Sequence, residues 1–225
     1  MKKFLPFILI IVIILLIGGV LIFQSSKKGA PKEETSAPKD NMPADSSPEK
    51  NIKKIAMVIA WKNFRDAEYF VTKENLASAE FEITTASTRL GEAVGAEGGQ
   101  VQVDILESDL NPGDFDAVVF IGGPAALSYL DNQTSYNLAQ QTLAQGKVLA
   151  AICIAPSILA KAGVLQGKKA TVWTSSLDKS AVKTLEQNGA VYEPKSVVVD
   201  GSVITADGPA SAEQFAEAII NALPR

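Results

Sequence analysis

The chain contains no histidine. That absence removes an imidazole general base, a cysteine–histidine dyad and any histidine-ligated metal. It removes them from a homo-oligomer as well, because every copy lacks the residue. There is a single cysteine, Cys153, so no intramolecular disulfide can form. One thiolate with carboxylates alone makes a poor zinc set, and neither metal nor cofactor is expected. Positive charge is also scarce where it would matter. Residues 52–225 carry fourteen Lys or Arg against twenty Asp or Glu, with no basic stripe, which argues against a nucleic-acid partner.

What is present begins with the longest apolar run, Phe4 to Phe23, broken only by Pro6 and Gly18-Gly19. A helix of that length spans about 30 Å, the hydrocarbon thickness of a bilayer. Lys2 and Lys3 precede the run, and Lys27 and Lys28 follow it. Its end, Leu21-Ile22-Phe23-Gln24-Ser25-Ser26, is a poor cleavage site, and no cysteine follows to accept a lipid. Residues 1–24 therefore read as an uncleaved transmembrane signal-anchor in the cell membrane, with the lipid bilayer as partner. A very short N-terminal tail favours the cytoplasmic side for it and an extracytoplasmic position for the rest. Residues 25–51, rich in Ser, Pro, Lys and Glu and without an aromatic, read as a disordered linker with a reach of about 30 Å.

Residues 52–225 are long enough for one domain with its own core. Buried strands are expected at Ile55–Ala60, Ala117–Ile121 and Val148–Ile152, a partly alternating strand at Phe81–Ala86 and a further strand at Lys169–Trp173. Helices are expected at Ala67–Ala79, Asn132–Gln145 with Gly146 closing it, Ser157–Lys161, Ser180–Gln187 and Ser211–Leu223 with Ser211 as N-cap. Gly91–Asp104 suggests a hairpin or an irregular excursion. Val197–Thr205, centred on Asp200-Gly201, carries a strong hairpin signal. Alternating strands and helices imply an α/β fold with a largely parallel sheet covered on both faces. Sites in such sheets form beyond the carboxyl ends of strands, where Glu68, Gly123 and Cys153 all fall.

Cys153 occupies the corner between the strand Val148–Ile152 and the helix that Pro156 opens. Such a corner projects a side chain above the sheet edge, as in a nucleophile elbow. Free N–H groups at the helix start are expected to lower the thiol pKa and populate the thiolate. Arg65 and Asp66 read as a solvated pair, and Trp173 as packing more readily than as a pocket wall. Asn132-Gln133-Thr134 matches the glycosylation pattern, a frequent chance match.

The segment from Gly146 to Pro156, followed by Leu159 to Thr171, closely resembles the ThiJ/PfpI family of the class I glutamine amidotransferase-like superfamily. The resemblance implies a flavodoxin-like three-layer sandwich over residues 52–225. It also implies that Glu68, in Asn63-Phe64-Arg65-Asp66-Ala67-Glu68, stands beside Cys153 as the second catalytic group, with a raised pKa. Gly122-Gly123 matches the family's glycine pair, so the N–H groups of Gly123 and Ile154 would form an oxyanion hole. Dimers or larger homo-oligomers are implied too.

Two departures restrict the chemistry. Ile154 stands where PfpI-type members place a histidine directly after the cysteine, and Thr171–Ser175 holds none of the histidines that other members bring there. Glu68 alone is left as acid or base. Three readings stay open: a cysteine-dependent hydrolase or glyoxalase/deglycase-like enzyme acting on reactive carbonyl, glycated or amide groups of small molecules or protein adducts; a redox-sensing or protective thiol; and a binding module without chemistry.

Overall fold

Three apolar strands form the centre of the fold. The computed structural model describes residues 52–223. The anchor expected over residues 1–24 and the linker over 25–51 lie outside the described residues. Among the described residues no helix is long and apolar enough to cross a membrane. In chain order the elements are β1 (Lys54–Val58), β2 (Lys62–Phe64), α1 (Asp66–Ser78), β3 (Glu82–Ser87), β4 (Gly91–Gly95), β5 (Gln100–Val103), β6 (Ile105–Leu106), β7 (Ala117–Phe120) and α2 (Ala126–Leu130). There follow α3 (Gln133–Ala144), β8 (Val148–Ile152), α4 (Pro156–Lys161), β9 (Lys169–Ala170), α5 (Ser180–Gln187), β10 (Val191–Tyr192), β11 (Val197–Asp200), β12 (Val203–Ala206) and α6 (Ala212–Ala222).

Seven strands pair in the order β11-β12-β8-β7-β1-β3-β6. All pairings are parallel except the β11–β12 hairpin. The strand order reverses between β1 and β7, so their carboxyl ends open a crevice. The continuous apolar runs in β1, β7 and β8 follow from burial on both faces. Successive side chains still alternate. Ile55, Met57, Val119, Ala150 and Ile152 pack on one face with Tyr69 and Leu76 of α1 and Phe215 and Ile219 of α6. Ala56, Val58, Val118, Phe120, Leu149 and Ala151 pack on the other with Leu138, Ile158, Leu159 and Leu185 from α3, α4 and α5. The result is a three-layer α/β sandwich whose mostly parallel sheet fits the flavodoxin-like expectation.

Helix ends follow local chemistry. Asn132 caps α3 by accepting from the N–H groups of Thr134 and Ser135, so its side chain is engaged in the fold. Gly146, at φ +69°, closes α3: its N–H reaches Leu143 O at 2.9 Å and that of Lys147 reaches Thr142 O at 3.1 Å.

Several expectations need correction. The strand expected over Lys169–Trp173 is only β9, paired with β10; beyond Ala170 the chain leaves the ladder, and the N–H of Trp173 goes to Cys153 O. Ser211 precedes α6 without capping it through its side chain, because its hydroxyl donates to Asp207 instead. Of the two readings of Gly91–Asp104 the hairpin holds: β4–β5 is antiparallel, and β2 extends it into a three-stranded sheet. Neither β2 nor α2 was expected; each is five residues or shorter, below the reach of a periodicity argument.

Candidate active site

The strand β7 ends at Phe120, and Ile121 leads into Gly122-Gly123 at the mouth of the crevice. Here the backbone is too crowded for a side chain. A Cβ on Gly122 would lie 2.7 Å from Cys153 Cβ, and 2.8 Å from both Glu68 Oε2 and Ile152 O. A Cβ on Gly123, at φ +124°, would lie 2.4 Å from the Arg65 nitrogen. Gly122 also ties the segments together, since its N–H donates to Glu68 Oε2 at 3.1 Å and its carbonyl accepts from the Arg65 N–H at 3.1 Å.

Cys153 has φ +63°, a left-handed conformation that a residue with a side chain adopts only when its surroundings impose it. The surroundings do so from both sides. Its N–H donates to Ala206 O at the end of β12 (2.9 Å), and its carbonyl accepts from Trp173 N–H (2.8 Å). The expected elbow is therefore present, with Pro156 opening α4 just beyond it. Cys153 is 8% exposed and lines a cleft of about 290 Å³ with Arg65, Gly123, Pro124, Ile154 and Trp173. The N–H groups of Ile154 and Gly123 both interact with the Cys153 sulfur.

Glu68, in the first turn of α1, is fully buried. One oxygen holds Gly122 N–H, while Oε1 is buried without a regular hydrogen bond. The carboxyl also faces the Cys153 thiol. Burial pushes the Glu68 pKa up to about 7, against the opposing pull of Cys153 and the Arg65 charge. The Cys153 thiol is pushed up as well, first by burial and then by the charge of Glu68; the N–H groups of Ile154 and Gly123 offset only part of this. The expectation of a resting thiolate is thus corrected. A six-residue helix offers little compensating field, and desolvation with a facing carboxyl outweighs it. The arrangement at rest is a neutral thiol beside a carboxyl that ionises near neutrality.

All four residues expected at the site, Glu68, Gly123, Cys153 and Ile154, are brought together. Three further residues had been read otherwise. Trp173 lines the cleft and holds the elbow carbonyl. Arg65 and Asp66 are not a solvated pair. Asp66 is buried, accepting from the N–H groups of Glu97 (2.9 Å) and Gly99 (2.6 Å), and Arg65 pairs with the Glu97 carboxylate. A signal for Arg65 did exist. It lies three residues before Glu68, hence on the same side of the helix start. Among the described residues no group of three or more Cys, Asp or Glu is placed to hold a metal ion.

An α/β sandwich with a cysteine elbow, a buried glutamate and a glycine pair at the sheet edge defines a class, and the comparisons identify the family within it. Residues 53–222 match the DJ-1/PfpI family, and the chain belongs to it. The chain is 40% identical to uncharacterized protein MJ0967 of Methanocaldococcus jannaschii, covering 76% of this chain and 83% of that one. It is 31% identical to deglycase PfpI of Pyrococcus furiosus, covering 68% and 89%. The crystal structure of a ThiJ/PfpI domain protein from Brachyspira murdochii superposes with a TM-score of 0.71 at 33% identity, covering 76% of this chain and 96% of that one.

Proposed function

We propose that the domain is a protective cysteine-dependent enzyme acting on reactive carbonyl or glycated groups, in the manner that the deglycase names of its relatives suggest. The observation that carries this reading is the convergence of Cys153 and Glu68 on the two sides of Gly122. Cys153 is the nucleophile. As its sulfur bonds to the carbonyl carbon, the thiol proton passes to the Glu68 carboxylate, and the carbonyl electron pair moves onto oxygen. The N–H groups of Gly123 and Ile154 stabilise that oxyanion. Glu68 then returns the proton, so one carboxyl serves in both directions without an imidazole.

The redox-sensor reading fits less well, because the thiol is buried and its proton is held tightly. Residues 1–24 would tether the domain to the cell membrane with the site on the extracytoplasmic side, and a homodimer or larger assembly would suit the family. Turnover of methylglyoxal by the protein and by its Cys153→Ser variant tests the catalytic reading. The variant should lose activity; equal rates would dismiss it.

A further inference from the structure

The cleft above Cys153 has one charged wall. Gly123, Pro124, Ile154 and Trp173 line it with backbone and apolar surface, and Arg65 is the only cation among its lining residues. The Arg65 backbone is pinned to the same loop that carries the proposed oxyanion donor, by its N–H to Gly122 O and by its close approach to Gly123. Its charge reaches the reacting centre, since it is felt at the Glu68 carboxyl.

The guanidinium is also incompletely satisfied. Nη1 donates to Glu97 at the tip of the β4–β5 hairpin, while Nε is buried without a partner. The pair with Glu97 is half in solvent, with the two side chains 34% and 48% exposed. An ion pair of that kind is weak and exchangeable. A donor left unsatisfied beside an apolar cleft is a standing cost that an arriving anion would relieve.

We infer that Arg65 sets substrate class: the cleft takes a small carbonyl compound bearing a carboxylate next to the reacting carbon, such as a 2-oxo acid. The carbonyl lies over Cys153 with its oxygen toward Gly123 and Ile154, and the carboxylate exchanges with Glu97 for the guanidinium. Attack forms one S–C bond, moves the carbonyl π pair onto oxygen and transfers the thiol proton to Glu68. This inference rests on the reading of Cys153 as nucleophile.

Two alkylating reagents separate the inference from that reading. Iodoacetate and iodoacetamide react alike, the sulfur displacing iodide from a CH₂ group, and differ in that only the first is an anion. Their rate ratio at Cys153 of the full chain cancels changes in thiol ionisation. It should exceed the ratio for a free thiol such as N-acetylcysteine at the same pH. Arg65→Gln should lower it by about tenfold, the worth of one charge-assisted hydrogen bond. Arg65→Lys should retain part of the preference, and Glu97→Gln, by freeing the guanidinium, should raise it. A wild-type ratio no higher than that of the free thiol, or one unchanged in both Arg65→Gln and Glu97→Gln, overturns the inference while leaving Cys153 a nucleophile. Failure of both reagents to modify Cys153 overturns the nucleophile reading itself.

Discussion

Glu68 and Cys153 meet across Gly122: the position of an absent Cβ lies 2.8 Å from the carboxylate oxygen and 2.7 Å from the cysteine Cβ. The two residues come from α1 and from the turn after β8, and only a glycine between them lets both reach one point. In the proposed mechanism, with no imidazole in the chain, this contact supplies the proton chemistry. Burial places the carboxyl near neutrality, where a group can both accept and release a proton.

The two groups should ionise in order, Glu68 near pH 7 and the Cys153 thiol only well above a free thiol, because burial and the Glu68 charge both hold its proton. Below that range the sulfur reacts as a thiol whose proton the ionised carboxylate can take. Iodoacetamide modification of Cys153 should therefore rise with a midpoint near pH 7, where Glu68 ionises. Glu68→Gln removes the acceptor, and the midpoint should move to or above that of a free thiol. A pH profile identical in wild type and variant would show that the carboxyl does not govern the sulfur.

The same carboxyl makes stability depend on pH. Its folded pKa of about 7 exceeds the ordinary glutamate value of 4.5, so between these values the native state holds a proton that the unfolded chain releases. The stabilisation is complete below about pH 4.5 and is lost as pH rises through 7. The shift corresponds to about 3 kcal/mol at most. Glu107, raised by burial against its bond from Ser135, acts in the same direction. Urea denaturation should show lower stability at pH 8 than at pH 5, with a flatter profile in Glu68→Gln. Equal pH slopes in the two proteins would contradict the assignment.

Much of this was legible in the sequence, and the reasons differ by residue. Val148–Ile152 is short but wholly apolar and bounded by Gly146 and Pro156, so strand, corner and helix could all be read. Glu68 was found through family resemblance, because nothing in Ala67-Glu68-Tyr69 announces a fully buried carboxylate. The thiol's direction of shift was misread. A helix N-terminus is visible in a sequence, whereas the desolvation that outweighs it depends on which segments close over the sulfur. Arg65 and Asp66 were misread for a related reason, since their partners lie more than thirty residues away, in the Glu97–Gly99 turn.

That turn supplies a test of fold rather than chemistry. Asp66 holds two backbone N–H groups, and Glu97 holds the Asp66 N–H in return. Gly95 and Gly99 close against the carboxylate, with Cβ positions 2.2 and 2.3 Å from its oxygens. Burial pushes the carboxyl up, but its hydrogen bond with the Glu97 side chain, followed by the N–H groups of Glu97 and Gly99, outweighs that and holds it below its usual range. Asp66→Ala leaves the two donors without an acceptor and should cost about 2 kcal/mol in denaturation experiments. Asp66→Asn keeps one acceptor oxygen and should cost less. A loss below about 0.5 kcal/mol for the alanine variant would mean that the turn is held by other bonds.

Gly122→Ala isolates the contact on which the proposed chemistry depends. The added methyl meets the cysteine Cβ, the carboxylate oxygen and the Ile152 carbonyl at once, and two of the three are anchored by backbone. Overpacking of this kind costs roughly 1–3 kcal/mol, so the protein should still fold. The methyl must push Glu68 and Cys153 apart, which breaks the proton path while leaving both residues in the chain. Iodoacetamide reactivity at pH 7 should fall toward the level of Glu68→Gln, and combining the two substitutions should add little further loss. Undiminished reactivity in a folded Gly122→Ala protein would show that sulfur and carboxyl act separately.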